Sequence, residues 1–513
     1  MISSSIEHRA FKNTTVGALS FLVTLGQTLV LVPILLKHWG NVSYGLWLTL
    51  MAGFNLLQAL DLGHQNYVGN QLNMQYHTDL NQFRRTLGSS LLIAYFLGLV
   101  EIGICLLLIA SDTMTLFLSV PSQVIAEHQL SMGLLLLMTM WLVFGSVGGI
   151  VVRIMIPAGM LYESQWVGIA VRLIQFFSIV IVAVGGGSIL AACLWYAVIQ
   201  SVMALLIFRY IQLKLPDFYP WWRAAQWREG FRGLQKSLVL TFNGLGQQLS
   251  NNGLVILISA LFTSAVIPSF TTLRTLTNTA GAATTILTTA LFPDMIRFHA
   301  TRETEKLADV FNANWFISGI CVNFGIILVL PMIEPIYRFW TKGYLVFNPT
   351  LFFLLAVAIS LANFGAGLNL YLSGINDLRS QTVITMTRAG VLFLLGYSLS
   401  GYYGILSVGI GCVVAEALAS VVLPVVFVNE RLAGFSAQLA FKHVGLAIMP
   451  SVFLLLAGGV IMVRQVNFGL VSLALFPPLC AIYYANWKIL GRGVQDRIRS
   501  LASSVMRKFS FGF

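Results

Sequence analysis

The sequence predicts an all-α polytopic membrane protein of about fourteen transmembrane helices, built as two six-helix lobes plus two C-terminal helices, with both termini cytoplasmic. Three observations predict it. Of 513 residues, 57% are hydrophobic and only 9% charged, against roughly 25% charged in a soluble domain. Apolar runs of bilayer-spanning length recur near 16–36, 43–63, 87–110, 131–152, 166–184, 189–208, 238–261, 266–290, 313–333, 350–373, 381–399, 403–427, 444–463 and 467–487. Most of the 30 Lys and Arg fall in alternate connections between these runs, and only Lys37, Arg338, Lys342 and Arg464 fall on the opposite side. Cationic loops stay cytoplasmic, so this bias orients the chain, and one span more or fewer would reverse the parity downstream and spoil it.

Taken in order, the polar start Met1 to Thr15 feeds an apolar segment with no small-residue cleavage site, so the first span is expected to remain as an anchor. Residues 1–210 make the first lobe. The connection 211–236 is an interfacial linker, because Trp221, Trp222 and Trp227 alternate with Arg223 and Arg228, rings at headgroup depth and cations toward lipid phosphate. Residues 237–430 make the second lobe, and 431–513 the last two spans with a basic cytoplasmic tail. Weak internal similarity links the lobes: Leu25-Gly26-Gln27 recurs as Leu245-Gly246-Gln247, and the second and eighth runs exit near Asp61 and Asp294. Duplicated bundles with a pathway between halves are a common transporter plan.

Composition also excludes. The net charge of +12 follows membrane sidedness, so nucleic acid is not the expected partner. Five cysteines, all inside apolar runs, make neither a disulfide framework nor a metal cluster. No Gly-rich phosphate loop, His-Glu zinc motif or acidic pair in a sizeable loop occurs. Neither ATP hydrolysis nor an enzymatic activity is expected, and no cofactor.

Intramembrane ionisable residues each need a reason, since a charge at mid-bilayer costs about 2.5–3.5 kcal/mol on insertion scales. Arg274 shares a stripe of the eighth run with Thr271, Asn278 and Thr285, and the seventh carries a ladder of Asn243, Gln247 and Asn251. Arg172 shares a face of the fifth run with Gln165 and Gln175; Arg388 accompanies Gln381 in the eleventh; Arg153 closes the fourth. Guanidinium groups pair bidentately with phosphate and amides serve sugar hydroxyls, so Arg274, Arg172, Arg388, Arg153, Gln247, Asn251 and Asn278 are the candidate substrate contacts. Helix-end carbonyls, carboxylates or lipid phosphates are the competing structural partners. Glu101, Asp61 and Glu416 are the candidate couplers to H+ or Na+, with interhelical salt bridges an equal reading.

The second run opens on Gly45-Leu46-Trp47 and closes on Leu60-Asp61-Leu62-Gly63, before an amphipathic segment with Arg84 and Arg85. This resembles the second helix of the Wzx-type polysaccharide flippases, in the multidrug/oligosaccharidyl-lipid/polysaccharide exporter superfamily. The resemblance covers most of the chain in layout and is sharp from about Tyr44 to Arg85. It implies translocation of an undecaprenyl-diphosphate-linked oligosaccharide across the bacterial inner membrane by alternating access without ATP, as in O-antigen and lipopolysaccharide synthesis, alongside membrane lipids and polysaccharide polymerase machinery. The last two spans depart from the twelve-helix plan common in that family, which leaves kinship with fourteen-span lipid II flippases open. A cation-coupled multidrug exporter of the same superfamily and a membrane-embedded polymerase or transferase are the alternatives.

Overall fold

Each apolar run falls largely on a helix of the computed structural model, which describes residues 2–111, 124–433, 441–464 and 468–491 together with Leu439, Gln495 and Arg499. The basic tail from 500 onward lies outside the described residues. Among the described residues there is no strand, and nine helices are long and apolar enough to cross a membrane. One of these nine, α1 (Ile2–Gln75), holds the first two runs on either side of Gly40, whose φ of 71° bends the chain without the Cβ penalty another residue would bear. The others are α2 (Leu80–Ala110), α3 (124–155), α4 (Leu161–Val184), α5 (Ile189–Lys214), α8 (Thr304–Trp340), α9 (Pro349–Gly374), α11 (Leu406–Ala433) and α13 (Phe468–Ile489). The remaining runs are helical too, in α6 (227–261), α7 (Val266–Ala300), α10 (Leu378–Ser398) and α12 (Phe441–Arg464). In α6, α7 and α10 polar residues thin the apolar run, and in α12 the apolar stretch Val444–Leu456 lies among the residues whose side chains are described.

The chain divides into two units, one of Met1–Pro268 with Phe339–Leu345, the other of Ser269–Arg338 with Val346–Phe513. The first holds α1 to α6 around a core including Leu72, Phe83, Leu87, Ile150 and Ile154. The seventh run, which the linker at 211–236 groups with the later helices, is packed in the first unit. Small residues explain this: a Cβ on Gly63 of α1 would meet Thr241 Cα of α6 at 2.3 Å, and one on Gly45 would meet the Ser264 carbonyl oxygen at 1.9 Å. Backbones that approach so closely gain dispersion contacts that lipid cannot match. His64 Nδ1 and Ser237 Oγ, 3.2 Å apart, add a polar link between the same helices.

The second unit is organised about α9, which is buried along most of its length. Asn348 caps it, accepting from Leu351 N at 3.0 Å, with Pro349 in the first turn where no donor is needed. Trp315 of α8 stacks on Phe364 of α9 with centroids 4.8 Å apart. Polar side chains pair across the apolar core: Thr284 Oγ1 donates to Asn363 Oδ1 at 2.7 Å, Thr288 Oγ1 to Asn314 Oδ1 at 2.9 Å, and Asn323 Nδ2 to Tyr483 Oη at 2.9 Å. Removed from water, each such group needs its partner.

Candidate functional sites

In the first unit, α1, α2 and α3 gather a polar cluster inside an apolar surround. Asp61 is fully buried, and Gln65, one turn later, donates Nε2 to Asp61 Oδ2 at 2.8 Å. The same amide accepts at Oε1 from Arg153 Nη1 at 3.0 Å. Arg153 also donates to the Gly149 carbonyl and to Asn66 Oδ1, both at 2.6 Å. Asp61 and Arg153 are thus joined through one amide rather than paired directly. Sequence reasoning singles out the ends of this relay but not Gln65 and Asn66, although Gln65 stands four residues after Asp61, the spacing at which helix neighbours meet.

Glu101 of α2 is fully buried, and among the described residues neither of its carboxylate oxygens meets a donor in good hydrogen-bond geometry. Asp61 and the Trp141 indole are its polar neighbours. Asp61 Oδ1 and Trp141 Nε1 are likewise buried and, among the described residues, meet no partner in good hydrogen-bond geometry. Trp141 opens a π turn, Trp141–Gly145, and its ring covers Gly145 so closely that a Cβ there would sit 2.0 Å from the indole. Such turns break the regular ladder of a helix and mark functional sites often. Two neighbouring carboxylates held away from water are costly to keep ionised together. Among the described residues no group of three His, Cys, Asp or Glu side chains gathers to form a larger metal centre.

The second unit treats its ionisable groups differently. Arg388 Nε of α10 lies 2.9 Å from Glu416 Oε1 of α11, and Arg388 Nη2 donates to Ser420 Oγ at 3.0 Å. Ser420 Oγ donates in turn to Glu416 Oε2 at 2.5 Å, closing a three-residue ring. Ser420 sits in a second π turn, Ala417–Val422, directly after Glu416. The partner of Arg388 is therefore Glu416, and Gln381 instead donates to the Leu372 carbonyl at 3.3 Å. Arg274 of α7 is half-buried and interacts electrostatically with Glu416 and Cys412, so three predicted residues come together here.

On α7 the two polar faces separate cleanly. Thr272, Thr277, Thr284 and Thr288 are buried toward their own unit, whereas Thr271, Arg274, Asn278 and Thr285 are half-buried or exposed. In α6, Gln247 and Asn251 are exposed and Asn243 is buried, with Gln247 Nε2 donating to Asn243 Oδ1 at 3.4 Å. Asn251 lies in a third π turn, Leu249–Gly253. Arg172 of α4 is exposed and donates Nη2 to Ser20 Oγ of α1, while Gln175 donates to Gln200 Oε1 at 2.5 Å. All five cysteines are free, in keeping with their apolar settings.

A multi-pass all-helical chain in two units, with polar clusters buried in long apolar helices and polar stripes left accessible beside them, has the layout of a polytopic membrane protein. The fold is similar to that of the lipid II flippase MurJ in its inward closed conformation, with a TM-score of 0.63 at 12% identity over 91% of this chain and 98% of that one. It is also similar to a multidrug resistance MATE family transporter of the MOP superfamily in its inward-facing conformation, with a TM-score of 0.58 at 16% identity over 80% of this chain and 95% of that one. No protein-family profile matches the chain, and no curated sequence matches it.

Proposed function

We propose that this protein is a flippase that moves a lipid-linked oligosaccharide, carried on undecaprenyl diphosphate, across the bacterial inner membrane by alternating access for cell-surface polysaccharide synthesis. The observation that carries the reading is the accessible stripe on α7. A guanidinium and an amide, the half-buried Arg274 and the exposed Asn278, stand one turn apart on α7, the helix that carries the eighth apolar run. Such a face is tolerated where it lines water, and its chemistry suits a diphosphate joined to sugar hydroxyls. Gln247 and Asn251 supply further amides, and Arg172 a further cation, in the first unit. Likeness in fold to the lipid II flippase MurJ supports the same substrate class.

The open carboxylates of Asp61 and Glu101 supply a second element of the reading, a site at which H+ or Na+ couples translocation to a gradient. Glu416, already held by Arg388 and Ser420, contributes charge balance beside Arg274. No chemical step on the substrate is required, so the role is transport rather than catalysis.

The test is flipping of a fluorescent lipid-diphosphate oligosaccharide in proteoliposomes, native chain against Arg274→Ala after equal insertion is confirmed. Loss of flipping by at least tenfold, about 1.4 kcal/mol at the barrier, is expected. Unchanged flipping assigns Arg274 a structural role. No flipping by the native chain under either a proton or a sodium gradient, with export of a cationic drug instead, moves the multidrug reading ahead.

A further inference from the structure

A second polar site lies wholly within the first unit, apart from the Asp61 cluster and the α7 stripe. It is a cavity of about 440 Å3, a volume suited to a small ligand or headgroup. Three helices build it, each with one periodic face. The end of α1 contributes Gln71 and Gln75, one turn apart. The start of α2 contributes Arg85 and, one turn on, Ser89. The amphipathic start of α6 contributes Arg228, Arg232 and Lys236 at successive spacings of four, so that all three cations project from one side of the helix.

The walls are held in place by close packing. Gln226 N donates to Ser89 Oγ at 3.0 Å, and a Cβ on Gly230 would meet the Ser89 carbonyl oxygen at 2.6 Å, so α6 rests directly on α2. Glu229 is the one carboxylate in the lining, against four cations, which leaves a net charge of +3 at the cavity. Among the described residues, Arg85, Arg228, Arg232 and Lys236 form no ion pair. Like charges converging on one concavity repel one another and raise the local concentration of anions. Guanidinium forks bind phosphate bidentately, and the neighbouring amides and hydroxyls suit the oxygens of an ester or sugar. Snorkelling of separate cations to a bilayer surface does not require three helices to turn their polar faces into one hollow.

We propose that this cavity is a binding site for a phosphate-bearing headgroup. The proposal is independent of the flippase reading, and its test reads binding rather than transport. The full chain is placed in phosphatidylcholine nanodiscs, and a fluorescent phosphatidic acid is titrated by energy transfer from the protein's tryptophans, with inorganic pyrophosphate as competitor. Saturable binding is expected, weakened at least tenfold in the Arg85→Gln, Arg228→Gln, Arg232→Gln triple variant, since one hydrogen bond to a charged group accounts for about that factor. A charge-matched control, Arg209→Gln, Lys214→Gln and Arg379→Gln, lies outside the lining and keeps native affinity. Displacement by pyrophosphate shows that a phosphate group in water suffices; saturable lipid binding that pyrophosphate leaves untouched assigns the site to a bilayer-anchored headgroup. Non-saturable binding, or equal weakening in the control, overturns the proposal. The milder Arg228→Lys, Arg232→Lys pair keeps charge while removing bidentate geometry, and affinity equal to native in that pair and in the Gln triple also overturns it.

Discussion

Two polar clusters, one in each unit, use the same residue types and reach opposite states. Each has an arginine, a buried or half-buried glutamate and a π turn beside the acid. In the second unit Arg388 contacts Glu416 directly at 2.9 Å and Ser420 bridges both. In the first, Gln65 stands between Arg153 and Asp61, and among the described residues neither oxygen of Glu101 meets a donor in good hydrogen-bond geometry. A closed ring pairs its charges, whereas two neighbouring buried carboxylates without a cation beside them are costly to ionise together. The proposed ion coupling is therefore best tested at the open cluster, and helix cohesion at the closed one.

The comparison can be broken most strongly at the closed ring. Arg388→Ala leaves Glu416 without its cation and is expected to cost about 3 kcal/mol, read as a fall in the thermal midpoint of the detergent-solubilised chain. The double variant Arg388→Ala with Glu416→Ala should recover most of that loss, because no uncompensated charge remains; failure to recover means the pair is held by something other than charge. Next in size is Gly149→Ala. Its Cβ would lie 1.9 Å from Gln65 Oε1, displacing the amide that separates Arg153 from Asp61, at a cost of about 1–3 kcal/mol by overpacking. The same thermal measurement checks it.

Glu101→Gln sharpens the contrast without disturbing packing. Gradient-driven flipping is expected to fall by about tenfold or more, some 1.4 kcal/mol at the barrier, while the thermal midpoint holds or rises because a buried acid is gone. Retained gradient dependence in that variant would move coupling away from the open cluster. The smallest effect is expected at Asp377, in the connection before α10, where Ser380 N and Oγ donate at 3.3 and 2.8 Å and Arg431 Nε at 2.7 Å. Burial raises this carboxyl, but the hydrogen bonds from Ser380 and Arg431 outweigh it and hold the group below the usual carboxylate range. Its contribution is therefore present above the ordinary value near about 4 and is lost as the pH falls through the lowered one. Asp377→Ala, which removes the α10 cap, should cost about 1 kcal/mol, and acid titration of stability should lose its steepest part below pH ~4; an unchanged acid profile would leave Asp377 without this role.

Much of the architecture is legible in composition because the bilayer imposes it. Backbone groups in hydrocarbon must be satisfied within the segment, so an apolar run of sufficient length becomes a helix whatever its neighbours do. Even the polar seventh and eighth runs, in α6 and α7, could be placed by parity of charge. Candidate ionisable residues were equally visible, since Asp61, Glu101, Arg153, Arg274, Arg388 and Glu416 stand out against an apolar background. Their partners were less so: Gln65 and Ser420 lie four residues beyond Asp61 and Glu416, a signal that periodicity offers but that many unrelated pairs share.

Helix identity, sidedness and the list of groups that cannot sit alone in hydrocarbon follow from local composition, because each depends on a single segment and its solvent. Which helix packs on which, why α6 rests on α1 through Gly63, whether an arginine meets a carboxylate or an amide, and how Arg85 comes to face Arg228 and Arg232 across one cavity were decided by tertiary structure. Those outcomes depend on ångström-scale approach between segments far apart in the chain. Steric fit at a glycine, or the reach of one side chain, settles such matters, and neither is encoded in the hydropathy of the segments concerned.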